Sequence, residues 1–298
     1  MLLQASASHC LLAETISGHS FERSENLRSK RVNEGEASMI QGVVPDLRSA
    51  CAIAVMAKAS TPGRTKTRLV PPLTHDEAAM LNTAFLRDTA DNILSAAALA
   101  DVRPWVAYAP AGSEAFFRAH LPEAFGLIET GAPTLGDCLG HAAAMLLGAG
   151  HDAVCLINSD SPTLPVAYLV MAATALAAAG DRIVLGPATD GGYYLIGMKR
   201  LHAGLFEDIA WSTDRVFIQT LERAQTLGLL AIVLPTWYDV DSAMTLETLV
   251  DEVLDGKAFR RVGTPAPATW TRKCLVTLVG DLGLRARMGT GRALDGPS

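Results

Sequence analysis

The chain has 298 residues, 49% hydrophobic and 19% charged, with a net charge of −6 and a mean hydropathy of +0.23. That is ample apolar material for one large α/β domain with tails, or for two smaller domains. Charges of both signs are interspersed, which excludes the basic footprint of a nucleic-acid binder or of a protein drawn to an anionic membrane, so any phosphate ligand has to be gripped locally.

Residues 1–17 are mildly apolar but lack the basic start and unbroken apolar core of a signal peptide, and no later stretch supplies the ~18 consecutive apolar residues of a spanning helix. Residues 20–35 are polar and aperiodic. Together residues 1–48 read as a disordered N-terminal extension, in which Met39 is an alternative start. The folded domain is expected over residues 49–256, with 257–298 as a partly disordered, basic C-terminal extension. Its first strand, residues 51–57, is a short apolar run of the buried kind. It passes directly into a Gly/Pro loop in which Lys58, Arg64, Lys66 and Arg68 stand close together with Thr65 and Thr67 between them. Such a loop can grip a multiply charged anion through side chains and backbone N–H groups, although a solvated charged surface is the plainer reading. It does not have the G-x-x-x-x-G-K-[ST] spacing of a Walker A loop.

Thr74 and Glu77 form a Thr-x-x-Glu capping box, and Ala78, Leu81, Phe85 and Ile93 recur at helical spacing behind it. Strands over 103–109 and 126–130 enclose a helix over 113–120. This alternation predicts an α/β fold, a mostly parallel central sheet with helices on both faces. A helix over 135–147 follows, then a buried strand over 153–157 that ends in Asn158-Ser159-Asp160. Ligands of open α/β sheets collect beyond the carboxyl ends of strands, so Asp160 is placed to hold Mg²⁺ between itself and phosphate oxygens. Capping a helix over 166–179 is its alternative role.

Residues 183–198 read as a strand, a special loop and another strand. Asp190 offers a carboxylate at the loop tip, and Gly191-Gly192 permits backbone angles closed to other residues and a close ligand approach; a tight hairpin turn explains the same residues. Ser212 or Thr213 is expected to cap a helix running to 226, followed by another buried strand over 229–234. In the third acidic loop Asp239 and Asp241 stand two apart, which in an extended segment turns both carboxylates the same way, and Asp241 is alternatively a cap for a helix over 242–254. Cys10, Cys51, Cys138, Cys155 and Cys274 include no C-x-x-C pair, which fits a reducing, cytoplasmic protein without structural zinc.

In order and spacing, Lys58 with residues 62–69, Asp160-Ser161-Pro162-Thr163-Leu164, residues 186–197, Trp211-Ser212-Thr213 and Asp239-Val240-Asp241 resemble the radical-SAM/selenodomain-associated transferases, also described as arsenosugar-biosynthesis glycosyltransferases and formerly as a domain of unknown function. The resemblance covers about residues 51–254 and implies a single GT-A-like, Rossmann-like nucleotide-diphospho-sugar transferase domain. Lys58, Arg64, Lys66 and Arg68 are the candidate nucleotide or phosphate ligands, and Asp160 and Asp241 the candidate ligands of Mg²⁺ or Mn²⁺, Asp241 joining Asp160 in the nucleotidyl-transfer reading. Asp190 and Asp160 are the candidate catalytic residues, with Gly191, Gly192, Tyr193 and Trp211 at the substrate pocket. The chain departs from the family at Asp137-Cys138, where the pattern has Glu-Arg, and after Asp241, where Ser242, Met244 and Thr245 replace a Thr and a Glu-Asp pair. The Lys-Thr-Arg-Leu and Asp-Val-Asp elements also resemble the guanylyltransferases of deazaflavin-cofactor biosynthesis and the molybdopterin nucleotidyltransferases. Three functions follow as expectations: glycosyl transfer from a nucleotide-sugar to a small-molecule acceptor, Mg-dependent nucleotidyl transfer from a nucleoside triphosphate to a small phosphorylated acceptor, and nucleotide binding without chemistry.

Overall fold

A computed structural model describes residues 40–41, 50–259 and 263–291. In chain order its strands are β1 (Ile40–Gln41), β2 (Cys51–Lys58), β3 (Val102–Ala109), β4 (Gly126–Glu129), β5 (Ala153–Asn158), β6 (Arg182–Pro187), β7 (Tyr193–Met198) and β8 (Leu230–Val233). Its helices are α1 (His75–Ala97), α2 (Glu114–His120), α3 (Leu135–Gly148), α4 (Val166–Ala177), α5 (Val216–Thr226), α6 (Ala243–Asp255), α7 (Thr269–Gly280) and α8 (Leu284–Gly291). The strands make one sheet in the order β1-β4-β3-β2-β5-β7-β6-β8. β2 is parallel to β3 and β5, β3 to β4, and β6 to β8, whereas β7 runs antiparallel between β5 and β6 and β1 antiparallel to β4. The expected α/β fold, mostly parallel with helices on both faces, is what forms.

Alternation along each strand divides the core in two. Ile53 and Val55 of β2 point to one face, where they meet Phe85 and Ile93 of α1, Phe117 of α2, Leu169 of α4, Leu249 of α6 and Leu275 of α7. Ala52 and Ala54 point to the other, toward Leu139, Ala142 and Leu146 of α3 and Ala224 of α5. Large buried side chains such as Phe85 each contribute about 1.5–3 kcal/mol through burial. The Thr74 box closes as expected: the Thr74 side chain accepts from the Glu77 N–H at 3.2 Å, and Glu77 accepts from the Thr74 N–H at 2.8 Å.

Several expectations are corrected. The run over 229–234 is not a buried strand: β8 is an edge strand with Leu230 and Val233 exposed, because an apolar run does not reveal whether a second neighbour exists. The cap of α5 is Arg215, without a side-chain hydrogen bond, rather than Ser212 or Thr213. Within the supposed C-terminal extension, Thr269–Gly280 is a helix that packs on α1 and contributes Leu275 and Leu278 to the core. Its first turn is held by Asp88 of α1, which accepts from the Trp270 N–H at 2.9 Å and the Thr271 N–H at 2.7 Å. Of the N-terminal extension, Ile40–Gln41 pairs with β4 and the rest of residues 1–48 lies outside the described residues. No helix among the described residues is long and apolar enough to cross a membrane.

Candidate active site

Three loops leave the carboxyl ends of β2 and β5 and the end of β8, and they meet on one rim of the sheet. The first follows Lys58. It is braced internally, with the Thr65 hydroxyl donating to the Thr61 carbonyl at 3.1 Å and accepting from the Thr61 N–H at 3.2 Å. Asn82 of α1 donates to Ser60 Oγ at 2.9 Å and ties the loop to the helix. The second carries Ser159 and Asp160, whose side chains are hydrogen-bonded to each other at 3.1 Å. The third is laced to the second: the Val240 N–H donates to the Asp160 carbonyl at 2.9 Å, and the Ser161 hydroxyl to the Tyr238 carbonyl at 2.9 Å.

These loops enclose a cavity of about 360 Å³ lined by Lys58, Arg64, Lys66, Arg68, Asp160 and Asp241. All four predicted phosphate cations and both predicted metal ligands are therefore brought together. The alternative capping roles of the two aspartates do not hold, since Pro165 precedes α4 and Ser242 caps α6 in a box with Thr245. Lys66 differs from the other cations of its loop. Its Nζ lies 2.9 Å from Asp160 Oδ1 and 2.6 Å from Asp241 Oδ1, and donates to the Val240 carbonyl at 2.8 Å. Burial disfavours its ammonium, but Asp160 and then Asp241 outweigh it and hold the pKa above the ordinary value. The expected phosphate ligand is thus a buried bridge between the two acidic loops, which no pattern local to residues 58–68 reveals.

Sequence reading noted Asp239 but gave it no role. It is 8% exposed, and burial, then Asp190, Asp241 and Asp160, push its carboxyl up to about 7. Asp239 thus feels the three other aspartates of this rim. Asp190 is exposed at the tip of the β6–β7 hairpin and accepts from the Gly192 N–H at 2.8 Å. The hairpin reading of this loop is correct as to backbone, because β6 and β7 pair antiparallel on either side of it.

The other residues expected at the substrate pocket have different surroundings. Gly191 has φ 90°, and a Cβ there would fall within the backbone of Asp214; the space a ligand was expected to use is filled by the chain itself, with the Phe217 N–H donating to the Gly191 carbonyl at 2.9 Å. Gly192 is close to the Asp190 carboxylate, which a Cβ would meet at 3.1 Å. Tyr193 packs into the core beneath α3 and α5, where burial raises its pKa, and Trp211 lies against the start of α3, 2.8 Å from where a Cβ on Gly136 would be. None of these four lines the cavity. Met56, Asn82, Thr130, Leu135 and Ser159 do, without any mark of it in the sequence, and so does Cys138, which stands where the chain departs from the family pattern. Cys138, where the resembling family has Arg, donates to the Thr130 carbonyl at 3.3 Å.

Among the described residues no three His, Cys, Asp or Glu side chains gather closely enough to hold a metal by protein groups alone. The Asp160–Asp241 pair nevertheless fits Mg²⁺ or Mn²⁺. The two carboxylates converge on one cation position, filled by the Lys66 ammonium, and Mg²⁺ ordinarily takes one or two carboxylates with phosphate oxygens and water.

A protein from Desulfovibrio desulfuricans G20, provisionally named a nucleotide-diphospho-sugar transferase, superimposes with a TM-score of 0.67 at 28% identity, over 80% of this chain and 98% of its own. The fold is GT-A-like. A cytidylyltransferase from Leptospira borgpetersenii covers 80% of this chain and 97% of its own at 12% identity, with a TM-score of 0.46, too distant to bear on function. A family model described as an uncharacterized protein conserved in bacteria, DUF2064, matches residues 92–213. That span holds Asp160 and Asp190 but neither the cation loop nor Asp241. No curated protein matches the chain.

Proposed function

We propose that the protein is a nucleotide-dependent transferase that moves a glycosyl group from a nucleotide-sugar to a small-molecule acceptor. The observation that carries this reading is the convergence of Lys58, Arg64 and Arg68 with the Asp160–Asp241 pair on one cavity beyond the carboxyl ends of β2 and β5. Its volume, about 360 Å³, is in the range of small-molecule sites. The cations hold the diphosphate through charge-assisted hydrogen bonds, while Met56, Ala107 and Leu135 offer an apolar wall to the rest of the nucleotide. Bound at Asp160 and Asp241, Mg²⁺ or Mn²⁺ supplies Lewis-acid neutralisation of the diphosphate leaving group. Asp190, on the neighbouring hairpin, takes the proton of the acceptor hydroxyl. The provisional name of the Desulfovibrio protein supports a reading of this kind.

Nucleotidyl transfer is the second reading, and one observation favours it. Asp190 Oδ1 is already engaged by the Gly192 N–H, whereas attack of a phosphate oxygen on a nucleoside triphosphate requires cations at the phosphates and no protein base. Incubation with Mg²⁺ and panels of nucleotide-sugars and nucleoside triphosphates separates the two. Release of nucleoside diphosphate supports glycosyl transfer and release of pyrophosphate supports nucleotidyl transfer; binding without either product leaves a nucleotide-binding module.

A further inference from the structure

The three acceptors around Lys66 saturate the three donors of an ammonium: Asp160 Oδ1 at 2.9 Å, Asp241 Oδ1 at 2.6 Å and the Val240 carbonyl at 2.8 Å. The side chain is 5% exposed, and it starts from a residue in the left-handed region, φ 50° and ψ 38°, which a lysine seldom adopts. The loop is therefore shaped to deliver this one cation to the acidic pair, while Lys58, Arg64 and Arg68 remain on the cavity wall.

A magnesium ion on the same oxygens would lie about 2.0–2.1 Å from each. The ammonium cannot keep its present contacts beside it, since two cations would then share the same carboxylate oxygens and repel at short range. Nor does the ammonium have a favourable place to go in the free protein, because the adjoining cavity already presents three other cations. A polyphosphate in that cavity reverses the balance, turning a repulsive destination into an attractive one.

We infer that Lys66 is an internal placeholder for the metal, closing the Asp160–Asp241 pair in the free protein and yielding it to a divalent ion when a polyphosphate enters to receive the ammonium. The inference rests on the reading of Asp160 and Asp241 as metal ligands. It makes the metal–nucleotide complex the species the site favours, free metal displacing the ammonium only when raised to high concentration. It also assigns Lys66 two positions, one on the acidic pair and one on the phosphates.

The test uses Mn²⁺ as probe, with free Mn²⁺ measured by electron paramagnetic resonance on the whole protein without nucleotide. Lys66→Gln is expected to bind Mn²⁺ at least tenfold more tightly than the parent, because the competing charge is gone, and Lys66→Arg no more tightly than the parent. The gain should vanish when Asp160→Asn is added to Lys66→Gln. Equal affinity in parent and Lys66→Gln, with binding still lost in Asp160→Asn, overturns the placeholder and leaves the metal site standing. So does equal tightening by Lys66→Arg, which would make loop distortion the cause. Mn²⁺ binding insensitive to both Asp160→Asn and Asp241→Asn removes the metal reading itself, and the inference with it. A second measurement needs no variant: amine labelling of Lys66 in the parent, read by mass spectrometry, should rise at least tenfold when Mn²⁺ alone is raised to saturation. Protection unchanged while Mn²⁺ is bound through Asp160 would also refute it.

Discussion

Asp88→Ala tests whether the C-terminal helix belongs to the domain. The Asp88 carboxylate is 2% exposed and accepts two N–H groups, those of Trp270 at 2.9 Å and Thr271 at 2.7 Å, that the first turn of α7 otherwise leaves without partners. Hydrogen bonds to a charged acceptor contribute about 1.5–3 kcal/mol each, so two would give about 3–6 kcal/mol. Burial offsets part of this: it raises the Asp88 pKa against the two backbone N–H groups, so the ionised carboxylate is held at a cost that alanine removes. A net loss of about 2–3 kcal/mol remains, within reach of the larger effects of removing a helix cap. For a domain of this size each kcal/mol moves Tm by about 2–4 °C, which gives a drop of roughly 4–12 °C by calorimetry. Nucleotide affinity should be unchanged, since neither Asp88 nor α7 lines the cavity. A Tm within 2 °C of the parent would show that the helix is docked by its apolar face alone and that the cap is incidental.

Asp160→Asn should weaken Mg²⁺-dependent nucleotide binding at least about tenfold by calorimetry whichever transfer operates, because one of the two carboxylates proposed to hold the metal is neutralised; unchanged affinity would dismiss the metal site. Asp190→Asn keeps an oxygen for the Gly192 N–H, so nucleotide-sugar affinity should hold while the single-turnover rate falls by about a hundredfold or more, and an unchanged rate would turn the assignment toward nucleotidyl transfer. Gly191→Ala, with φ 90° and the Asp214 backbone in the way, should cost roughly 1–3 kcal/mol in urea unfolding; a neutral result would mean that the 211–217 segment swings aside freely. Glu77 accepts two hydrogen bonds from Arg287, at 2.8 and 2.9 Å; burial raises its pKa, but Arg287 and Thr74 outweigh burial and hold it below 4.5. A depressed pKa stabilises the fold above the unfolded value and loses that effect as pH falls through the folded one, so the stability gap between parent and Glu77→Gln should be full at pH 7 and shrink below about pH 4.5. Denaturant melts at the two pH values check it, and a gap that does not narrow would count against the pairing.

Central strands and the cap of α1 were legible because their signals are local. The continuous apolar run of β2 reflects burial on both faces, and Thr74 with Glu77 declares the start of α1 three residues apart. The site was half legible for the same reason, since each acidic or basic loop stands directly after a strand. What a strand end does not disclose is which loop meets which. The partner of Lys66 is Asp241, 175 residues further on, and the acceptor that fixes α7 is Asp88, 182 residues before Trp270. The pair Tyr193-Tyr194 shows the other limit: neighbours on a strand face opposite ways, Tyr194 toward the Tyr168 side and Tyr193 beneath α5, and neither ring reaches the cavity.

The antiparallel β7 has a consequence in time. During synthesis β5 is complete at Asn158, but the edge it presents on the side away from β2 is covered only when Tyr193–Met198 returns between it and β6. At roughly 5–20 residues per second, the 35 residues from Asn158 to Tyr193 leave that edge open for about 2–7 s. Asp160 waits about 4–16 s for Asp241, 81 residues later. The nascent chain therefore carries a half-built sheet in which the buried, apolar β5 has one bare flank, and the interval in which it is open to mispairing is set by how quickly the ribosome reaches the returning strand.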